Sequence, residues 1–437
     1  MPSTVLFIIA TLLLSLNFVR PFGLAISDWL YLGALGFAYL ETSVLDRDNA
    51  FCWWRNRLLW GAAVILFGAL ISTMNSHDWV VALVEICQQV FVMTLFVSLI
   101  WILVRRGKTI PVVFSFILTG VLTSAVVLGD YLTGSKWGPI LSGTTDFQLW
   151  GRYAGTLGHP NKLGYFLVLT TLLSIGYLLS IKNSRSALFL RIFCCALIAL
   201  QGFGIYLSGS MTAYLGLLVG IIFLALYLGN PPSRMTKFFR VVAAGTILIL
   251  GIFLASHWTL NNGLSLESNN LISQALVRVQ TITGEYRLRI YSQAWDQIVQ
   301  NPWFGVGYDQ ISTSGIVPES RYLSFSVHNP LLEIWYTGGL FAFFGWFFIY
   351  LWMGWMALGI KRSGKRLTPL IISIASAALA ALLMDQLQDS IYQREKWLVF
   401  GLLVSVSWEM IKEKIVKPDP IKVGDQKNLL AVLPLGE

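Results

Sequence analysis

Long apolar segments separated by short polar loops leave this chain few folds to adopt. Twelve are expected, at 4–19, 24–44, 58–74, 80–104, 109–131, 163–181, 192–207, 210–229, 241–257, 329–358, 368–384 and 397–411. A bilayer core about 30 Å thick takes roughly 20 residues of helix, so the shorter segments must draw on their boundary residues to cross. Inside hydrocarbon every backbone N–H and C=O needs an internal partner, and runs of this length meet that need as helices. With 56% hydrophobic residues, 12% charged residues and 17 tryptophans, a soluble domain is excluded. The expected fold is an all-α integral membrane protein of about 12 transmembrane helices. Residues 1–411 form a single polytopic domain, with a large, partly helical periplasmic loop between spans nine and ten, and 412–437 form a cytoplasmic tail.

A net charge of +9 would suit a nucleic-acid partner, but the placement of the charges argues for a lipid bilayer and no nucleic acid. Basic residues cluster in alternate loops: Arg47/Arg55/Arg57, Arg105/Arg106/Lys108, Lys182/Arg185/Arg191, Arg234/Lys237/Arg240 and Lys361/Arg362/Lys365/Arg366. The tail adds Lys412, Lys414, Lys417, Lys422 and Lys427. The positive-inside rule then places both termini in the cytoplasm. The first segment lacks a basic leader and a small-residue cleavage site, so it is expected to be a retained helix. Cys52, Cys87, Cys194 and Cys195 have no disulfide partner outside and no metal-ligand spacing, and no metal or cofactor is expected.

Two outer loops are long enough to carry chemistry, at about 132–162 and 258–328. The first contains Gly151-Arg152-Tyr153-Ala154-Gly155-Thr156-Leu157-Gly158-His159-Pro160-Asn161-Lys162. Its glycines and an Asn161 cap suggest a tight turn in which His159 and Asn161 act structurally. Arg152 stands out because most of the other basic residues gather on the inner side. In the second loop, Ile290, Ala294 and Ile298 recur at helical spacing with Tyr291 and Trp295 alongside. That pattern predicts an amphipathic helix of about four turns, stopped by Asn301-Pro302 and followed by a turn at Gly305 and Gly307. Arg287 and Arg289 fall in its first turn, where the helix dipole disfavours cations, and a bound anion would explain them. Acidic residues elsewhere in the loop argue against a general electropositive funnel.

The loop ends in Ser326-Val327-His328-Asn329-Pro330-Leu331-Leu332-Glu333. Asn329 suits an N-cap and Pro330 the first helical position, and His328 is expected on the first turn. The partial positive charge there would keep the imidazole neutral, as a general base beside an anion site requires. The bland reading is a boundary histidine that bonds lipid headgroups.

Arg152 with Gly155 and His159-Pro160-Asn161, then Arg287-Leu-Arg-Ile-Tyr with Asn301-Pro302-Trp-Phe-Gly305-Val-Gly307, then His328-Asn329-Pro330-Leu-Leu-Glu with Gly338-Gly339, form an ordered set. That set resembles the bacterial O-antigen ligase/polymerase superfamily of integral-membrane glycosyltransferases. The resemblance implies an enzyme of the bacterial inner membrane, working at its periplasmic face without a metal. It would move a glycan from undecaprenyl diphosphate to a hydroxyl of lipid A-core or another glycan or lipid acceptor. It implies that Arg287, with Arg152 and Arg289, holds the diphosphate, and that His328 activates the acceptor or assists the leaving group. His159, Asn161, Asn329, Gly305, Gly307 and Ser210 would support the site. One departure is Met211, in Leu207-Ser208-Gly209-Ser210-Met211-Thr212, where such proteins commonly carry an arginine. A polymerase joining lipid-linked repeat units would use the same donor. A transporter would instead place ionisable groups at mid-depth, where only Glu41 and Glu85 stand out.

Overall fold

The computed structural model describes residues 2–14, 25–45, 57–134, 137–142, 152–181, 187–228, 287–310, 327–359, 368–388 and 390–416. Among these, all regular structure is helical. The helices are α1 (Pro2–Leu12), α2 (Ile26–Leu45), α3 (Arg57–Ser72), α4 (Trp79–Val90), α5 (Val97–Arg105), α6 (Thr109–Thr133) and α7 (Trp137–Ser142). They continue as α8 (Pro160–Ser180), α9 (Leu188–Ser208), α10 (Met211–Tyr227), α11 (Arg287–Gln300), α12 (Pro330–Gly359), α13 (Pro369–Asp385) and α14 (Arg394–Val416). The expected segment at 241–257 lies outside the described residues; the others coincide with helices. A π-helical stretch, Phe91–Phe96, joins α4 to α5 in one 27-residue span.

Six described stretches are long and apolar enough to cross a bilayer: Arg57–Asn75, Trp79–Arg105, Thr109–Thr133, Pro160–Ser180, Leu188–Ser208 and Pro330–Gly359. Pro2–Leu12, Met211–Tyr227 and Pro369–Asp385 are apolar but shorter. The chain is an all-α integral membrane protein.

Helix α8 is the hub, packed by α6, α9, α10 and α13. It is apolar almost all round, which a helix surrounded by others requires. Small residues let its neighbours approach closely: a Cβ on Gly176 would lie 2.0 Å from Ser373 Oγ, and one on Gly164 would lie 2.8 Å from the Cβ atoms of Ser210 and Ala213.

Helix α12 is broken. Gly339 has φ 72° and ψ −171°, so the carbonyls just before it lose their helical partners. A strap formed by residues 301–310 takes them up: Val306 N donates to Tyr336 O at 3.0 Å and Gly307 N to Thr337 O at 3.4 Å. Ser72 Oγ, at the end of α3, also donates to Thr337 O. In return Leu340 N donates to Trp303 O at 3.2 Å. A Cβ on Gly305, where φ is 67°, would sit 2.3 Å from Thr337 O, so the strap admits only glycine there. The strap is held from its other side by Asn75 Nδ2 on Gly305 O at 2.9 Å, and by His77 N and Asp78 N, both 3.0 Å from Asp309 Oδ2.

At one end of the bundle, Arg106 Nη1 meets Glu41 Oε2 at 2.6 Å, and Ser3 Oγ donates to the same oxygen. Glu41 is therefore a paired group near the end of α2. The three sequence motifs lie at the opposite end.

Candidate functional site

The site is assembled where α8, α10 and α12 begin and α9 ends. Ser210 caps α10, its Oγ accepting Ala213 N at 3.4 Å, and Gly209 turns the chain with φ 56°. Arg152 lies over this turn: Nε donates to Ser208 O at 2.8 Å and Nη2 to Asn161 Oδ1 at 2.5 Å. It thus sits one residue from Ser210 and two from Met211 in the turn that Ser208 and Gly209 form.

The cap of α8 is His159. Pro160 takes the first helical position, and His159 Nδ1 accepts the Asn161 N–H at 3.1 Å. This corrects the expectation that Asn161 caps the helix: with proline first, the cap must precede it, and Asn161 turns its oxygen to Arg152 instead. An Nδ1 that accepts leaves the ring hydrogen on Nε2 of the neutral imidazole. Burial, then the electrostatic influence of Lys162, Arg152 and His328 in that order, pushes the His159 pKa down to about 4. His328 is among the groups acting on His159, so the first and third motifs share one electrostatic neighbourhood.

The lowered value has a measurable consequence. Between the ordinary histidine pKa of 6.5 and about 4, the unfolded chain binds a proton that the folded chain refuses. Stability therefore falls as pH drops through that window, by on the order of 2–3 kcal/mol from this group. His159→Asn keeps a competent cap and removes the titration. Thermal unfolding of the detergent-solubilised protein at pH 7 and 4.5 should show a smaller acid loss for His159→Asn than for wild type; equal losses would refute the assignment.

His328 is not on the first turn of α12, as the sequence suggested. Asn329 caps the helix, its Oδ1 accepting Leu332 N at 3.2 Å, and His328 precedes the cap with φ 53°. It is the one non-glycine residue with positive φ among those described, a conformation that needs support from its surroundings. The support is visible on both sides. Val327 is buried against Ile290 and Ala294 of α11, and Asn329 Nδ2 donates to Gln386 O at 3.4 Å.

Helix α11 has the expected amphipathic form. Ile290, Ala294 and Ile298 are buried, Trp295 and Val299 are exposed, and Trp295 meets Trp335 edge to face with centroids 5.7 Å apart. Arg287 and Arg289 occupy its first turn, one turn or less before Ile290, which packs on the residue beside His328; only their backbone is described. The rest of the second loop, at 258–286 and 311–326, lies outside the described residues.

Sequence reasoning missed the support beneath this surface. The Asp385–Lys396 connection, between the expected segments 368–384 and 397–411, is folded into the bundle. Asp385 and Lys396 are both fully buried and paired, Nζ to Oδ2, at 3.1 Å. Asp385 also accepts Tyr165 OH at 2.9 Å, Tyr350 OH at 2.5 Å and Ser390 Oγ. Lys396 Nζ lies 4.8 Å from the Trp346 ring centroid and 5.4 Å from that of Trp397. Beside it, Arg394 forks onto both oxygens of buried Asp28. The apolar runs around these residues mask them, because the pairing is made only in three dimensions. Among the described residues no group of three or more histidine, cysteine or acidic side chains could hold a metal ion.

Residues 195–347 match the O-Antigen ligase family, a stretch that includes Ser210, Arg287, Gly305, Gly307, His328 and Asn329. A general O-oligosaccharyltransferase of Acinetobacter baylyi (strain ATCC 33305 / BD413 / ADP1) is 26% identical over 223 residues. Over residues 195–347 the chain is similar to the O-antigen ligase family. The alignment with that relative takes in 49% of this chain and only 37% of the relative's length. Arg152, His159 and Asn161 precede the stretch matched by the O-antigen ligase family, yet the fold sets His159 within electrostatic reach of His328.

Proposed function

We propose that this chain is a member of the O-antigen ligase superfamily and transfers a glycan from an undecaprenyl diphosphate carrier to an acceptor hydroxyl, on lipid A-core or another glycan or lipid. The observation that carries the reading is the convergence of the motifs on one end of the bundle, where His328 is held outside the α12 cap beside the base of α11. The proposed setting is the periplasmic face of the bacterial inner membrane, with both termini cytoplasmic, in keeping with the basic loops on the other side.

In this reading Arg287 and Arg289, at the start of α11, hold the diphosphate. Guanidinium groups match phosphate oxygens, and fixed cations in a partly dry site stabilise the charge that develops as the diphosphate leaves. His328 takes the proton of the acceptor hydroxyl as it attacks the anomeric carbon, while the carrier diphosphate departs with the electrons of the broken C–O bond. Arg152 adds charge from a fixed position over the Ser208–Gly209–Ser210 turn, beside Met211. Asn329, Gly305 and Gly307 position His328 and α12, and no metal takes part.

A strain lacking the gene tests the reading. Surface polymer lost while glycan accumulates on undecaprenyl diphosphate is the expected result for a ligase. Surface acceptor carrying a single repeat would mean a polymerase with the same donor chemistry. Both pools unchanged would reject glycan transfer in favour of transport.

A further inference from the structure

Beneath the strap, polar side chains from four separate elements meet inside the protein. Helix α4 supplies Glu85 and Gln89, one turn apart on the same face. The strap supplies Tyr308, whose backbone N–H is held by Ser76 Oγ at 3.0 Å. Helix α12 supplies Glu333, in the turn where its N–H donates to Asn329 O at 2.9 Å. Tyr392 comes from the Asp385–Lys396 connection. Glu85 and Glu333 are the charged groups that act on the Tyr308 phenol, and Glu85 acts on Tyr392 as well, so both carboxyls border one space. Oε2 of each is buried.

The hydrogens available here are few. The one hydroxyl hydrogen of Tyr392 goes to Glu85, so its 3.4 Å contact with Gln89 is accepted from the amide Nε2–H. That fixes the amide and leaves Oε1 as its acceptor. Gln89 and Tyr308 are completely buried, yet Gln89 Oε1 and Tyr308 Oη make no hydrogen bond among the described residues. Buried oxygens in this state require a partner. Carboxylate, amide and hydroxyl oxygens together are ligands for a hard cation, and two carboxylates match a double positive charge. Calcium accepts an irregular set of such oxygens, whereas magnesium demands a near-ideal octahedron. Two carboxyls joined by neutral oxygens, and not three acidic side chains, make the set.

We propose that Glu85, Gln89, Tyr308 and Glu333 bind a divalent cation of the calcium type, with Tyr392 holding Glu85 and Gln89 in place. The cation takes no step in glycan transfer, and the inference stands apart from that reading. It ties the strap and α4 to the first turn of α12, the turn that Asn329 caps beside His328.

Thermal unfolding of the full-length protein in detergent tests this, after stripping with a chelator and titration with calcium chloride at constant ionic strength. Wild type should melt about 4 °C higher at roughly a hundredfold excess over the dissociation constant. Tyr308→Phe removes one hydroxyl and keeps the ring against Gly338; it should raise the calcium needed for half the shift about tenfold. Glu333→Gln should abolish the shift, and Asp296→Asn, on the exposed face of α11, should respond as wild type does. Should Glu333→Gln fail to accumulate, Tyr308→Phe decides. Equilibrium dialysis with radioactive calcium should find one ion on each wild-type chain that Tyr308→Phe holds more weakly. No calcium shift in wild type, meaning that water fills the space, would overturn the proposal. So would a shift of the same size and midpoint in Tyr308→Phe and Glu333→Gln, or one that sodium gives at the same concentrations.

Discussion

Removing the imidazole of His328 is expected to lower glycan transfer by at least about a hundredfold, the usual scale for a general acid–base group. The choice of substitution matters. With φ at 53°, alanine would add backbone strain to the loss of the ring, whereas asparagine visits that region readily. His328→Asn therefore isolates the chemistry, and His328→Ala should combine the same catalytic loss with reduced stability. Arg287→Ala should cause a comparable loss by withdrawing charge from the leaving diphosphate. Neither His328→Asn nor Arg287→Ala should change the amount of protein in the membrane. Transfer by His328→Asn within threefold of wild type, at matched membrane levels, would remove His328 from the reaction.

The largest effect on stability is expected at Lys396. Lys396→Met leaves Asp385 buried beside Tyr165, Tyr350 and Ser390 without its cation, and removing one member of a buried ion pair typically costs about 3–5 kcal/mol. The double variant Asp385→Asn/Lys396→Met removes both charges at once and should be more stable than Lys396→Met alone. Thermal unfolding of the four members of this cycle in one detergent reads the coupling directly. If Lys396→Met melts with wild type, the pair does not hold this part of the bundle together. Function should suffer too, because Gln386, beside Asp385, carries the carbonyl that anchors Asn329 next to His328.

Much of the fold was legible in the sequence, because apolar runs and their caps are local signals. Ile290, Ala294 and Ile298 foretold the buried face of α11, and Asn329-Pro330 marked the start of α12. The same signal, read with more care, would have located both histidines. Proline at the first helical position makes the preceding residue the cap, which assigns His159 to α8 and sets His328 outside α12. The break in α12 was hidden because Gly338-Gly339 lies within an unbroken apolar run, and only the strap's N–H groups reveal what the break requires.

The strap across α12 also bears on how the chain is built into its membrane. The carbonyls of Tyr336 and Thr337 are answered by Val306, Gly307 and Ser72, none of them in α12. Unanswered carbonyls in lipid each cost several kcal/mol, so the upper part of α12 has no stable resting place there alone. Insertion of α12 is thus not an independent event. The helix is fully satisfied only when the end of α3 and the strap close over it.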